Sequence, residues 1–248
     1  MIAFLVALQF LTILPVKLEE VTQKNFSRAM IYFPVIGLLL GAILFALNSL
    51  FNFLDFSRIS IDIILVVSLV ALTGGMHLDG LSDSFDALLS GKKREEMLAI
   101  MRDSHAGAMG VVAIVSILFL KVGLLCSVPA GIKPLSLLLF CALSRWAMVC
   151  AIFLFPYARK EGKAAVFFDN ITDRVMVVAS LIIFATAALL WKINGIIALI
   201  AVALLVYLLG KSISKKMNGL TGDTLGAMNE ISEAVALLAI AILGRGFA

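Results

Sequence analysis

Charge is scarce in this chain of 248 residues, because Asp, Glu, Lys and Arg together make up only 15% of it. Soluble domains usually contain about 25% of these residues. Hydrophobic residues make up 62% of the sequence, and the mean hydropathy is +1.10. One soluble core could not hide so much apolar surface, which excludes an ordinary globular domain and predicts a protein embedded in a lipid bilayer.

Cysteine and histidine are also few, with three and two residues respectively. Cys126, Cys141 and Cys150 lie inside apolar runs and have no C-x-x-C spacing. This pattern excludes the common thiolate zinc motifs. We therefore predict that the three cysteines are small buried side chains.

Seven apolar runs can each form a helix whose backbone groups pair internally, and they predict seven transmembrane spans. They lie near residues 30–54, 61–76, 109–128, 134–155, 175–191, 194–210 and 231–246. Residues 1–14 are apolar but short, which predicts a segment that lies at the membrane interface or re-enters the membrane. The sequence thus predicts an all-α, polytopic membrane helix bundle in which residues 1–248 form one domain.

Lysine and arginine are distributed unevenly among the predicted loops. About fourteen fall on one side of the bundle, and the other side has Arg58, Lys133, Lys192 and Arg245. Cytoplasmic loops carry the excess of cations, so the richer side is predicted to face the cytoplasm. Nearly all acidic residues share that side, which indicates a site for a charged ligand, a metal ion or both. No continuous basic surface exists for a nucleic-acid partner.

The most informative segment runs from Gly74 to Gly91, with the sequence GGMHLDGLSDSFDALLSG. Asp79, Asp83 and Asp86 are spaced to fall on one face of a helix. Carboxylates this close repel one another, and a divalent cation would relieve the repulsion. Their hard oxygen donors favour Mg²⁺ or Mn²⁺ over zinc. The alternative is a solvated helix start whose acidic residues face the positive end of the helix dipole.

A second motif, MRDSHAGAMG at residues 101–110, precedes the third predicted span. Ser104 is a candidate cap for that helix, and free amide groups at the helix N-terminus would bind phosphate near Asp103. Packing of the small residues against a neighbouring helix is the other interpretation.

A third motif, TGDTLG at residues 221–226, precedes the last predicted span. Gly222 and Asp223 are candidates for contact with substrate or metal, together with Glu230 on the same helix face. A capped helix start explains the same pattern.

Three basic residues need individual interpretation. Arg145 lies about eleven residues into the fourth run, roughly 16 Å along a helix. A guanidinium at that depth needs a partner, which would be a substrate phosphate or a buried carboxylate. Lys121 lies nearer a helix end, which predicts that its ammonium group snorkels to the surface. Arg159 lies in a basic loop, where it either binds phosphate or serves only to orient the chain.

These motifs occur together in a known family. Over nearly its full length the chain resembles the cobalamin synthases, also called adenosylcobinamide-GDP ribazoletransferases. The resemblance rests on Phe10 to Val16, Tyr32 to Pro34 with Gly37 and Gly41, Gly75 to Ala87, Asp103 to Gly107, Ser144-Arg145, Tyr157 to Arg159 with Gly162, and Thr221 to Gly226.

The resemblance implies the last assembly step of the cobalamin nucleotide loop. A hydroxyl of alpha-ribazole, or of its 5'-phosphate, attacks adenosylcobinamide-GDP; adenosylcobalamin or its phosphate forms and GMP leaves. It also implies Mg²⁺ as cofactor and a place in the bacterial or archaeal inner membrane, with the site facing the cytoplasm. The expected partners are these substrates and the lipid bilayer, and a homo-oligomer is left open.

Carried onto this sequence, the resemblance and the chemistry together predict the site. Asp79, Asp83 and Asp86 are expected to bind Mg²⁺, and Asp86 or Asp223 to take the hydroxyl proton or complete the metal shell. The predicted catalytic residues are Asp79, Asp83, Asp86 and Asp223. The predicted substrate-binding residues are His77, Gly80, Asp103, Ser104, Arg145, Arg159 and Gly222.

Two other functions fit part of the pattern. A CDP-alcohol phosphotransferase of lipid synthesis also uses an aspartate-rich helix, but its D-x-x-D-G-x-x-A-R pattern differs from the order found here. A secondary transporter would have charges at mid-membrane and broken helices in paired repeats. In this chain the carboxylates gather at one side, and only Arg145 lies deep.

Overall fold

A computed structural model describes residues 1–16, 18 and 21–247. Helices dominate these ranges, in which the only β-type pairing is an isolated bridge between Tyr157 and Leu220. The α-helices are α1 (Ile2–Leu11), α2 (Gln23–Ala29), α3 (Phe33–Phe53), α4 (Arg58–Thr73), α5 (Met76–Leu88), α6 (Arg94–Ile100), α7 (Ala108–Ser127), α8 (Lys133–Leu154), α9 (Ala165–Asn170), α10 (Asp173–Met217) and α11 (Gly222–Leu243). Short 3₁₀ helices cover Met30–Tyr32, Ala130–Ile132 and Gly244–Phe247. The predicted all-α class is confirmed.

Five long apolar helices can each cross a bilayer: α3 with its preceding turns, α7, α8, α10 and α11. The pair α4 and α5 adds a sixth candidate, which is bent by 90°. Helix α10 consists of two arms, because Trp191 and Lys192 have non-helical backbone angles. Gly195 lies against Ala187, from which it would be about 12 Å away in a straight helix, so the chain reverses there. The seven predicted apolar runs therefore fall on six helices, because two of the runs are the two arms of α10.

The predicted start of the last span is wrong, because α11 begins at Gly222 and not near residue 231. Asp223, Asn229 and Glu230 interrupt the apolar pattern in its first turns. Asn229 and Glu230 are nevertheless buried against other helices. The apolar pattern begins several residues after the helix does, because neighbouring helices, rather than lipid, cover the first turns of α11.

Helix α8 lies at the centre of the bundle and packs on α3, α10 and α11. On α3, Gly37 and Gly41 face the α8 backbone closely enough that a Cβ at Gly41 would lie 2.6 Å from the Cα of Leu138. Gly37 and Gly41 thus allow α3 to pack closely on α8 within the same chain.

A sharp bend separates α4 from α5. Gly74 and Gly75 both have left-handed backbones, with φ of 65° and 68°, a region that is unfavourable for residues with a Cβ. The bend turns α5 against α7 and α11. It thereby brings the aspartate motif to the first turns of these two helices.

Candidate active site

A cavity of about 520 Å³ lies where α5 meets the start of α11. Five of the predicted site residues line it: His77, Asp79, Arg159, Gly222 and Asp223. A cavity of this size suits a nucleotide-sized ligand. Residues from three separate motifs therefore meet in one site.

Two further cations, Arg102 and Lys163, line the same cavity beside Arg159. Their positions in the sequence do not identify them as site residues, because they belong to separate loops that follow α6 and α8. The basic run at 159–163 was a visible signal, but membrane orientation explained it equally well. Apolar parts of the lining come from Phe10, Met76, Met101, Met148, Tyr157, Ala164 and Leu225.

Arg159 and Asp223 form an ion pair in the cavity wall, with 2.8 Å between Nη2 and Oδ2. Backbone hydrogen bonds join their loops: the amide of Ala158 donates to the Leu220 carbonyl, and the amide of Leu220 donates to the Pro156 carbonyl, both at 2.8 Å. The ion pair is therefore supported by a fixed backbone.

Arg94 on α6 connects the same two loops through hydrogen bonds, from outside the cavity. Its Nε donates to the carbonyl of Met217 at 2.7 Å, and its Nη2 donates to the carbonyl of Ala158 at 2.6 Å. Sequence reasoning missed this role, because nothing in the sequence distinguishes Arg94 from the neighbouring Lys92 and Lys93.

A capping box begins α11. Thr221 Oγ1 accepts from the amide of Thr224 at 3.2 Å, and Thr224 Oγ1 accepts from the amide of Thr221 at 2.8 Å. The capped helix start is thus confirmed, and it holds Asp223 in the first turn, where this residue also lines the cavity.

Gly80 permits the close contact between α5 and α11. A Cβ at Gly80 would lie 2.6 Å from the carbonyl oxygen of Asp223 and 3.0 Å from its Cα. Gly226 similarly lies against the backbone of His77, where a Cβ would be 3.2 Å away. Gly80, predicted to bind substrate, therefore sets the distance between Asp79 on α5 and Asp223 on α11.

We expect Gly80→Ala to lower turnover about 100-fold, since a displacement of about 1 Å can cost that much. Overpacking should also destabilise the fold by about 1–3 kcal/mol. Gly123→Ala on α7 is the matched control, because a Cβ there meets nothing within 4 Å. Turnover and thermal unfolding of both variants in lipid nanodiscs test this, and similar behaviour of the two would contradict it.

Asp79 and Asp83 lie one helical turn apart on α5, the first exposed and the second half-buried. Asp83 experiences the negative charges of Asp79, Asp223 and Asp86, and the positive charge of Arg159. Within the described ranges, neither Asp79 nor Asp83 makes a hydrogen bond or ion pair with another residue's side chain. Their oxygens are therefore available to a ligand.

Asp86 holds the start of α7. Its Oδ2 accepts from the amide of Gly107 at 2.7 Å, and its Oδ1 accepts from the amide of Gly110 at 2.9 Å. Helix α7 begins at Ala108 with Gly107 as its N-cap, so the expectation that Ser104 caps this helix is wrong. The cap comes from α5, and these two amide groups bind a carboxylate of the protein.

Asp103 and Ser104 lie in an exposed loop and do not line the cavity, unlike the adjacent Arg102. His105 Nδ1 donates a hydrogen bond to Asp103 Oδ1 at 2.6 Å. This bond lowers the pKa of Asp103 and raises the pKa of His105. A substrate contact by Asp103 or Ser104 stays a prediction.

Arg145 lies fully buried behind the cavity, where it pairs with Glu233 and donates to Ser144 Oγ at 2.9 Å. The partner of Arg145 is thus a buried carboxylate and not a substrate phosphate.

Lys121 pairs with the same Glu233 and, at 2.5 Å, with Glu230. The expectation that Lys121 snorkels is wrong, because these two carboxylates hold it at 3% exposure. Glu230 thus contacts Lys121 and lines no part of the cavity.

The carboxylates at the cavity offer only a few ligands for Mg²⁺, the predicted cofactor. In the described part of the chain, no three His, Cys, Asp or Glu side chains converge as a preformed metal cage. Magnesium usually binds one or two carboxylates and completes its shell with water and substrate phosphates. Asp79 and Asp83 fit that pattern, whereas both oxygens of Asp86 already accept hydrogen bonds.

Comparison with known proteins identifies the family. Residues 3–241 match the family described as cobalamin-5-phosphate synthase. An adenosylcobinamide-GDP ribazoletransferase of Roseiflexus sp. (strain RS-1) is 40% identical over 95% of this chain and 88% of its own length. Proteins of the same name from Thermoanaerobacter pseudethanolicus and Escherichia coli O17:K52:H18 are each 36% identical, over 94% and 96% of this chain and 94% and 98% of their own lengths. No solved structure matches. The chain belongs to the cobalamin-5-phosphate synthase family.

Proposed function

We propose that this protein joins the cobinamide phosphate of adenosylcobinamide-GDP to alpha-ribazole, or to alpha-ribazole 5'-phosphate, in the 520 Å³ cavity. The name shared by its relatives supports this reaction. The observation that carries the proposal is the lining of the cavity, in which Asp79 and Asp223 accompany the cations Arg102, Arg159 and Lys163. Carboxylates with several cations suit a diphosphate whose charge must be neutralised.

The reaction exchanges one phosphorus–oxygen bond for another. The ribazole hydroxyl oxygen bonds to the phosphorus that carries the cobinamide, and the bond from that phosphorus to the GMP oxygen breaks. The hydroxyl proton passes to a base and GMP leaves as an anion. Such a transfer depends on positioning and charge neutralisation more than on a covalent intermediate.

Asp79 and Asp83 are the residues that would hold Mg²⁺, which when bound neutralises diphosphate charge and orients the leaving group. Asp223 is the better candidate for the base, since it lines the cavity and only its Oδ2 is engaged. Arg102, Arg159 and Lys163 bind phosphate oxygens. Asp86 contributes indirectly, by holding α7 against α5.

The cavity belongs on the cytoplasmic side of the cell membrane in this proposal. The loops at its end of the bundle contain most of the lysine and arginine residues, which is the pattern of cytoplasmic loops. A soluble nucleotide-linked substrate would reach the site from that side.

Metal removal tests the proposed reaction. Purified protein in liposomes receives adenosylcobinamide-GDP and alpha-ribazole 5'-phosphate, and GMP and the corrinoid product are measured with Mg²⁺ or with excess EDTA. We expect equal amounts of both products, and loss of both in EDTA, because the diphosphate charge is then not neutralised. GMP without the corrinoid phosphodiester, or turnover unchanged by EDTA, would contradict the proposal. Ion-driven uptake into sealed vesicles without GMP would favour a transporter.

A further inference from the structure

Asn229 connects the cavity to the buried ion pairs behind it. Its Nδ2 lies 3.2 Å from Glu233 Oε1 and 3.0 Å from His77 Nδ1. Asn229 and Glu233 are fully buried, and His77 is 2% exposed. Bulk water does not reach these groups, so they can form hydrogen bonds only with protein atoms or with a bound ligand.

The carboxylate of Glu233 determines which way the Asn229 amide faces. Glu233 lies between the cations of Lys121 and Arg145 and carries its negative charge there. A carboxylate only accepts hydrogen bonds, so the Asn229 atom facing it is the amide nitrogen and not the carbonyl oxygen.

The second hydrogen of the Asn229 amide nitrogen determines which tautomer the imidazole of His77 adopts. It points to His77 Nδ1, which must therefore accept. A neutral imidazole that accepts at Nδ1 carries its hydrogen on Nε2. The chain of contacts from Glu233 through Asn229 thus selects one of the two tautomers of His77.

The selected hydrogen has no acceptor within the described part of the chain, where Nε2 of His77 is buried and unpaired. His77 is also part of the cavity lining. A buried donor without an acceptor is unfavourable, and a ligand in the cavity would supply one. We propose that Asn229 is a positioning residue that fixes His77 with its hydrogen on Nε2, and that His77 donates this hydrogen to a phosphate oxygen of the bound diphosphate.

This role differs from metal binding, although His77 precedes Asp79 by two residues. A metal-bound imidazole nitrogen needs a free lone pair, and in this tautomer Nε2 has none. The naming of a phosphate oxygen as acceptor rests on the proposed function, whereas the tautomer rests only on the hydrogen-bond partners.

Nitrogen NMR of ring-labelled histidine in lipid nanodiscs tests the tautomer. The chain has two histidines, so the His105→Gln variant identifies the signals of His77. We expect a hydrogen-bearing Nε2 and a lone-pair Nδ1 in the wild type. In Asn229→Asp the new carboxylate accepts from Nδ1, so the tautomer should reverse. If that variant does not fold, Asn229→Leu replaces it and should give a mixture of tautomers. Wild-type His77 with its hydrogen on Nδ1 would overturn the proposal.

Kinetics of two variants test the donor role. In His77→Gln the amide nitrogen can reach the position of Nε2, whereas in His77→Asn the shorter side chain reaches only that of Nδ1. We expect the Gln variant to keep kcat/KM within about 10-fold and the Asn variant to lose about 100-fold, the range of a hydrogen bond to a charged group. Equal losses in both variants, with unchanged thermal unfolding, would overturn the donor role.

The experiments separate this inference from the proposed function. If the wild type releases no GMP from adenosylcobinamide-GDP, the proposed function fails, and NMR still decides the tautomer. If GMP is released and His77→Asn turns over at the wild-type rate, the proposed function stands and the donor role fails.

Discussion

Replacing Asp79 with Asn is expected to lower turnover by about 100- to 1,000-fold, the range found when one group that stabilises developing charge is removed. The change keeps the size of the side chain and removes its charge. Asp79 is exposed in the cavity, and its carboxylate makes no hydrogen bond or ion pair within the described ranges, so the change breaks no side-chain contact. The Mg²⁺ concentration for half-maximal turnover should rise, and GMP release measured against Mg²⁺ concentration shows both effects.

Two variants serve as controls for Asp79→Asn. Asp55 lies exposed at the opposite end of the bundle with φ of 58°, a backbone that Asn adopts readily, so Asp55→Asn should retain wild-type turnover. Asp86→Asn loses one of the two acceptors for the amides of α7 and should reduce stability, with little change in the magnesium requirement. The assigned roles are wrong if Asp79→Asn turns over normally at all Mg²⁺ concentrations, or if Asp86→Asn raises the requirement equally.

Glu233→Gln is expected to reduce the free energy of unfolding by about 3–5 kcal/mol, as happens when one partner of a buried ion pair is removed. Glu233 is fully buried and pairs with both Lys121 and Arg145. Its neutralisation leaves two buried cations with Glu230 as the nearest remaining carboxylate. Thermal unfolding in nanodiscs should therefore show a large drop in the midpoint temperature.

The matched control for Glu233→Gln is Glu96→Gln, which breaks the surface pair of Lys92 and Glu96. Those side chains are 54% and 55% exposed, and such pairs contribute about 0–1 kcal/mol. Adding Arg145→Met to Glu233→Gln should recover part of the lost stability, because in the described part of the chain Arg145 has no carboxylate partner other than Glu233, whereas Lys121 keeps Glu230. A Glu233→Gln midpoint equal to that of Glu96→Gln would show that the buried pairs contribute little.

Helix positions were predictable from the sequence because lipid requires an apolar surface along the whole length of a span. Runs such as 109–128 and 134–155 agree with α7 and α8 to within about two residues. The prediction failed at α11, whose first turns are covered by other helices and so tolerate Asn229 and Glu230. A hydropathy pattern indicates which residues contact lipid, and the first turns of α11 have little contact with lipid because most of this helix is buried inside the protein.

The hydrogen-bond and ion-pair partners of individual side chains were less predictable from the sequence than the positions of the helices. Depth alone showed that Arg145 needs a counter-charge, but Glu233, 88 residues later, becomes that partner only when α8 packs on α11. Asp86 was grouped with Asp79 by spacing, and its actual partners depend on how α5 meets α7. Arg102 could not be assigned, because only the folded loops bring it to the cavity.

The buried ion pairs also constrain how the chain enters the membrane. The ribosome delivers Lys121 on α7 and Arg145 on α8 long before Glu230 and Glu233, since Lys121 precedes Glu230 by 109 residues. In that interval each cation costs about 2.5–3.5 kcal/mol at the centre of an inserted helix. The middle helices therefore reach their full stability in lipid only when α11 supplies the carboxylates that pair with Lys121 and Arg145.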